Sequence, residues 1–359
     1  MSRLYTTSIR WQTNRPALFA GLLFVTCLCS SFSATLLLLA QDTSKSFAIK
    51  QQVNLVELPV TVRDRGGRFV STLNVSNFRV FEDGRQQEIT LFRNEDIPVA
   101  VGLAVDHSGS MAAKQLEVAE GAQTFVQASN PQDREFVVNF ADEVSFGLRK
   151  DVAFTSNIDE LRAALSSVSA SGKTALYDAV AVALENLQKD SLDKKVLILI
   201  SDGGDNASKR NFAQVLRLAQ TFNVIIYSIG LFDQNSADQN QKVLKKFSTE
   251  TGGYAYFPTS HSEVITVCRQ IADDIRHQYT LGYSPADLGR SGYRKIRVTV
   301  NVPSRGKLLV RTRAGYYFPA PMLAGEPSGV SESSLGHTLL AVKRNVGGSP
   351  FATTGDARR

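Results

Sequence analysis

A doubly wound, mostly parallel α/β sheet is the architecture predicted for residues 97–277, and three observations predict it. Short apolar runs closed by turn residues recur there, stretches of helical period separate them, and two of the runs end in an aspartate. Strands and helices in such alternation build a Rossmann-like sheet with helices on both faces. Ligands bind these sheets outside the carboxyl ends of the strands, which is where Asp106 and Asp202 fall.

The chain opens on an export signal. Arg3, Arg10 and Arg15 precede the apolar core Ala17–Leu28, and the small residues Ser30, Ser31 and Ser33 follow. Thr35–Ala40 prolongs the apolar stretch to nearly membrane-spanning length, so residues 1–40 are a cleaved signal peptide or a retained N-terminal anchor. Either way the remainder is expected outside the cytoplasmic membrane, as a periplasmic, secreted or outer-surface protein. The apolar (43%) and charged (21%) fractions of the whole chain are those of a globular protein. Three of the +6 formal charges are the leader arginines, which leaves +3. No Lys/Arg run with interleaved aromatics occurs along the sequence, so nucleic acid is not an expected partner. Cys27 and Cys29 lie in the leader, and Cys268 shares a helical face with Val264, Val267, Ile271 and Ile275. Cys268 therefore reads as a small buried hydrophobe.

Residues 47–95 read as a β-rich, sandwich-like module. Val56, Leu58, Val60 and Val62 alternate with polar residues, and Pro59 within that run hints at an edge strand. Asp83-Gly84 between Phe78–Glu82 and Ile89–Phe92 predicts a hairpin. In the α/β region, strands are expected at Pro98–Val105, Arg134–Phe140, Val144–Leu148, Lys195–Ile200 and Val224–Ile229. Helices are expected after Met111, around Leu176–Leu187, over about Lys209–Thr221, and through Val264–Ile275. Period two returns in residues 278–318, where Ile296–Val302 and Leu308–Thr312 predict a hairpin across Pro303–Gly306. This hairpin is expected to complete one composite sandwich with the N-terminal module. Residues 319–359 are rich in Gly, Ser, Pro and Ala and read as a disordered tail.

The loop after the first central strand carries three hard oxygen donors, Asp106, Ser108 and Ser110. Mg²⁺ and similar cations take oxygen ligands and keep several waters, which suits so sparse a set. Thr174 stands at the start of a later helix, and Asp202 ends another buried strand. Asp-x-Ser-x-Ser, then Gly-x-Thr, then a strand-terminal Ser-Asp-Gly, in this order, resembles the metal-ion-dependent adhesion site of von Willebrand factor A domains. Val53–Asp64, Phe78–Gly84 and Gln278–Pro285 are in turn similar to segments of the acidobacterial-type family of secreted VWFA-related proteins. That likeness covers roughly residues 47–318.

The resemblance implies a cation ligand set of Asp106, Ser108, Ser110, Thr174 and Asp202. It implies Mg²⁺, with Mn²⁺ or Ca²⁺ as alternatives, and a water position that a partner protein's carboxylate fills. Taken singly, each of the five is better explained as a helix cap; all five in this order favour metal. Asp205 and Asn206 read equally as braces of the Asp202 loop or as turn formers. Asp178 is expected to serve a helix dipole, and His107 to point to solvent.

Enzymatic readings find less in the sequence. His107-Ser-Gly-Ser110 lacks the first glycine of a hydrolase elbow, and Ser108 stands where an aspartyl phosphotransferase wants a second acid. Gly172-Lys-Thr174 has Ser167 in place of a P-loop's leading glycine, and no dinucleotide fingerprint follows a strand. The expectation is an exported, non-enzymatic adhesion protein. The alternatives are a cell-envelope scaffold that binds through its β-module and, behind it, a metal-dependent hydrolase.

Overall fold

The computed structural model describes residues 55–166, 168–232, 239–303 and 305–318. The predicted leader (1–40) and tail (319–359) lie outside these residues.

The central sheet is built from β5 (Ala100–Asp106), β6 (Arg134–Phe140), β7 (Val144–Phe146), β8 (Lys195–Ser201), β9 (Ile225–Gly230) and β10 (Ala255–Tyr256). Its order is β10-β9-β8-β5-β6-β7, parallel throughout except for β7, which returns antiparallel at one edge. Every residue of β5 is buried, as the middle strand of a sheet covered on both faces must be. Burying a Val, Leu or Ile side chain contributes about 1.5–3 kcal/mol. The apolar runs of β5, β8 and β9 therefore supply much of the stability of this region. Gly102 of β5 is required by packing: a Cβ there would lie 2.7 Å from the Phe136 ring.

Among the described residues six helices flank this sheet: α1 (Gln115–Ala128), α2 (Ile158–Ser166), α3 (Leu176–Leu187), α4 (Phe212–Thr221), α5 (Gln241–Thr251) and α6 (His261–Arg276). α1 packs on α2 and α6, and α4 packs on α3 and α5. The approach of α1 to α6 is close because Gly121 faces Val264 and Cys268, and Cys268 is itself buried. Burial pushes its thiol up to about 12. α2 and α5 are helices beyond those expected; Ile158, Leu161, Ala164 and Leu165 form the apolar stripe of α2, and Val243, Leu244 and Phe247 that of α5. No helix among the described residues is long and apolar enough to cross a membrane.

The flanking strands form two further sheets. One has the order β13-β1-β11-β4, from β1 (Val56–Arg63), β4 (Leu91–Arg93), β11 (Tyr279–Tyr283) and β13 (Leu309–Arg311). The other has the order β14-β12-β2-β3, from β2 (Phe78–Glu82), β3 (Arg85–Gln87), β12 (Gly292–Val300) and β14 (Gly315–Phe318). Residues of both sheets share a second core that includes Leu58, Val60, Phe78, Val80, Leu281 and Val298.

Three local expectations are corrected here. The Asp83-Gly84 turn forms, with φ of 47° and 84° that fit a type I′ hairpin, but its second strand is Arg85–Gln87. Leu91–Arg93 leaves for the other sheet and pairs with β11. The stretches 296–302 and 308–312 are likewise not partners, since β12 pairs with β2 and β14 while β13 pairs with β1. Nor is β1 an edge strand, because β11 and β13 lie on its two sides. Pro59 is tolerated because β13 reaches only Thr61–Arg63, so its missing N–H faces no strand.

A buried ion pair joins β1 to the α/β region. The Arg63 guanidinium bonds both carboxylate oxygens of Asp274 on α6, donates to the Tyr256 hydroxyl at 2.8 Å, and lies over the Tyr254 ring.

Candidate metal centre

Asp106 closes β5, and its carboxylate is buried (0% exposed). One oxygen accepts from the Ser108 backbone N–H at 2.8 Å, the other from the Ser201 hydroxyl at 2.6 Å. Burial pushes this carboxyl up to about 6; its hydrogen bonds oppose that rise and the neighbouring Asp202 charge adds to it. The Ser108 and Ser110 hydroxyls stand 3.1 Å apart, with Ser108 buried and Ser110 open to solvent. The first loop therefore delivers its three oxygen donors at the surface end of the strand.

The second loop is laced to the first. Ser171 N–H donates to the His107 carbonyl at 2.9 Å, and Gly109 N–H to the Gly172 carbonyl at 3.1 Å. Gly172 has φ +78°, and a Cβ there would sit 1.7 Å from an Asp142 carboxylate oxygen. The other Asp142 oxygen accepts from Lys173 N–H at 3.1 Å. These contacts fix the turn that leads into Thr174, which is buried two residues before α3.

Asp202 follows β8 on the third loop and is buried, one carboxylate oxygen accepting from Gly204 N–H at 3.0 Å. Asn206 binds this loop to the second: its side chain accepts from Thr174 N–H at 2.8 Å, and its own N–H donates to the Thr174 carbonyl at 3.0 Å. Asp205 accepts from Tyr177 N–H at 3.2 Å and from the Ser208 hydroxyl. Asp178, expected to serve its helix dipole rather than a metal, accepts from Lys209 N–H at 2.8 Å and Arg210 N–H at 3.1 Å. All three polar residues thus join the Thr174 loop and the start of α3 to the chain after Asp202.

His107 corrects the expectation of a solvent-facing ring. It is 2% exposed, with Nε2 3.0 Å from the Asn139 side-chain oxygen and Nδ1 3.0 Å from the Gln115 amide nitrogen. Burial lowers its pKa, so the ring is neutral, donating from Nε2 to Asn139 and accepting at Nδ1 from Gln115. Asn139 passes the contact on to the Ala164 carbonyl at 2.9 Å. Ser201 and the His107–Asn139–Gln115 set are the contributors that sequence reasoning missed. Ser201 had a signal, as the residue directly before Asp202. Asn139 and Gln115 had none, because what identifies them is contact across the fold.

Among the described residues no cluster of three or more His, Cys, Asp or Glu side chains is spaced to hold a metal. The candidate set has two carboxylates and three hydroxyls, a composition for Mg²⁺-like ions rather than for zinc. Its fit to a cation rests on charge. Asp106 and Asp202 are both buried and close enough to raise the Asp106 pKa, yet neither forms an ion pair with a Lys, Arg or His among the described residues. Buried charges are ordinarily paired or bound to metal. The residues present fit a bound cation.

Part of the chain matches a known family model. Residues 101–270 match the family model of the von Willebrand factor type A domain. No curated protein matches the chain. Among solved structures it is similar to a von Willebrand factor type A protein from Catenulispora acidiphila, at 12% identity over 68% of this chain and 73% of that one, with a TM-score of 0.44. An aerotolerance-related membrane protein from Bacteroides fragilis NCTC 9343 shares 15% identity over 49% of this chain and 98% of that one, with a TM-score of 0.40. BatB from Bacteroides thetaiotaomicron shares 16% identity over 49% and 98%, with a TM-score of 0.39. Residues 101–270 of this chain are a von Willebrand factor type A domain.

Proposed function

We propose that the chain is an exported, non-enzymatic adhesion protein whose von Willebrand factor type A domain binds a divalent cation, and through it an acidic group of a protein partner. Domains of this type commonly mediate protein–protein interaction. The observation that carries the reading is the charge deficit at the rim, where Asp106 and Asp202 are buried together without a basic side chain. Ser108, Ser110 and Thr174 would complete the cation's oxygen ligands, and the exposure of Ser110 and Gly109 leaves the site open on one side. With only two carboxylates beside it, a bound Mg²⁺ keeps its attraction for a third from outside. Mn²⁺ or Ca²⁺ would be held by the same donors. The flanking sheets act as one sandwich-like unit that carries the domain.

Partner capture tests this reading. Immobilised full chain in Mg²⁺ should retain an envelope protein that EDTA releases and that an Asp106→Ala chain does not retain. Retention unaffected by both EDTA and the substitution would contradict it.

A further inference from the structure

The outer face of the β14-β12-β2-β3 sheet concentrates positive charge in a way the linear sequence conceals. Along β12, Arg294, Ile296 and Val298 point inward and are buried, so Tyr293, Lys295, Arg297 and Thr299 line the opposite face. Register sets Phe81 beside Arg297, Arg79 beside Thr299, Tyr317 beside Tyr293, and Gln86 beside Phe81. None of these outward strand positions is acidic. Two guanidiniums lie over rings, Arg297 at 4.0 Å from the Phe81 centroid and Arg217 of α4 at 4.7 Å from that of Tyr317. Among the described residues Arg79, Arg217, Lys295 and Arg297 form no ion pair, and all four are exposed. Beside them lies a hollow of about 770 Å³. Its acidic wall is Glu250 and Asp83, the latter already engaged by Arg290 and the Lys295 backbone N–H.

We propose that this face docks an acidic polysaccharide, whose carboxylates meet Arg297, Lys295, Arg79 and Arg217. Guanidinium forks stacked on rings lose little freedom when they pair with a carboxylate. Thr299 and Gln86 stand among the cations as partners for sugar hydroxyls. A single-stranded nucleic acid would want bare ring faces for its bases, and here arginines occupy those of Phe81 and Tyr317. An acidic peptide binding as a strand would add at an edge, β14 or β3, whereas Lys295 and Arg297 stand on the inner strand β12, which is hydrogen-bonded on both sides. A uronate chain needs neither.

The test is titration of the full chain with polygalacturonate in EDTA, so that the cation site takes no part. Saturable binding is expected, weakened at least tenfold by Arg297→Gln with Lys295→Gln. Arg79→Gln with Arg217→Gln should weaken it in the same sense, and a charge-matched pair at the exposed Lys150 and Lys242 should leave it unchanged. Thermal melts of each variant establish that it is folded. Absence of binding, equal loss in the charge-matched pair, or tighter binding of single-stranded DNA or polyglutamate to the same face would overturn the proposal.

Discussion

Glu82 in the β sheets and Asp106 in the α/β domain are both buried carboxylates, and their surroundings are opposite. Glu82 receives the Arg294 guanidinium at 2.7 Å on one oxygen and the hydroxyls of Tyr283 and Tyr316, at 2.6 and 2.7 Å, on the other. Arg294 also lies over the Phe318 ring at 3.9 Å. Burial pushes both phenols up, that of Tyr316 to about 12, so they stay protonated as donors. That charge is answered within the protein and has a structural use. Asp106 receives one hydroxyl and one N–H, with a second acid as its neighbour. In the proposed reading, what separates the Glu82 brace from the Asp106 rim is whether the fold supplies the counter-charge.

The largest effect is expected from removing the counter-charge at Glu82. Arg294→Met leaves Glu82 buried without its cation, a change that costs about 3–5 kcal/mol. Urea unfolding should register that loss while cation affinity at the α/β rim stays the same. A loss below about 1 kcal/mol would mean that the phenols suffice and that the contrast is misdrawn.

A third buried acid has neither a basic partner among the described residues nor a full set of hydrogen bonds. Glu135 on β6 is 3% exposed, has one oxygen without a hydrogen-bond partner, and is pushed up to about 8 by burial, with Asp133 adding to the rise. The folded state therefore keeps its proton between about pH 4.5 and 8 while the unfolded state gives it up. Stability from this group is present below that window and falls across it, by up to about 1.4 kcal/mol per pH unit. Glu135→Gln should remove this slope and be the more stable form at pH 8. Parallel melting curves of the two proteins from pH 5 to 8 would show instead that Glu135 is ionised in the fold.

The α/β region was legible in the sequence because local pattern and global position agree there. Apolar runs became β5, β8 and β9, and strand-end Asp106 and Asp202 came to one rim. The β sheets were less legible because period two says which face is buried and not which strand is the partner. Leu91–Arg93 and Leu309–Arg311 both follow plausible hairpin turns, and both cross to the other sheet. At the rim, the oxygen donors could be read from spacing, whereas the burial of His107 depends on Asn139, which is 32 residues away. The basic face was invisible for a related reason. Its cations are separated in sequence by inward-facing residues and brought together by strand register.

Asp106 and Asp202 are buried together without a basic partner among the described residues, and a divalent cation is proposed to fill that deficit. Isothermal titration of the metal-free chain with Mg²⁺ and Mn²⁺, beside the same titration of Asp106→Asn, tests it most directly. Saturable binding at one site in the natural chain, lost in a variant that melts no lower, is the predicted result. Equal heats in the two proteins, or none in either, would contradict it.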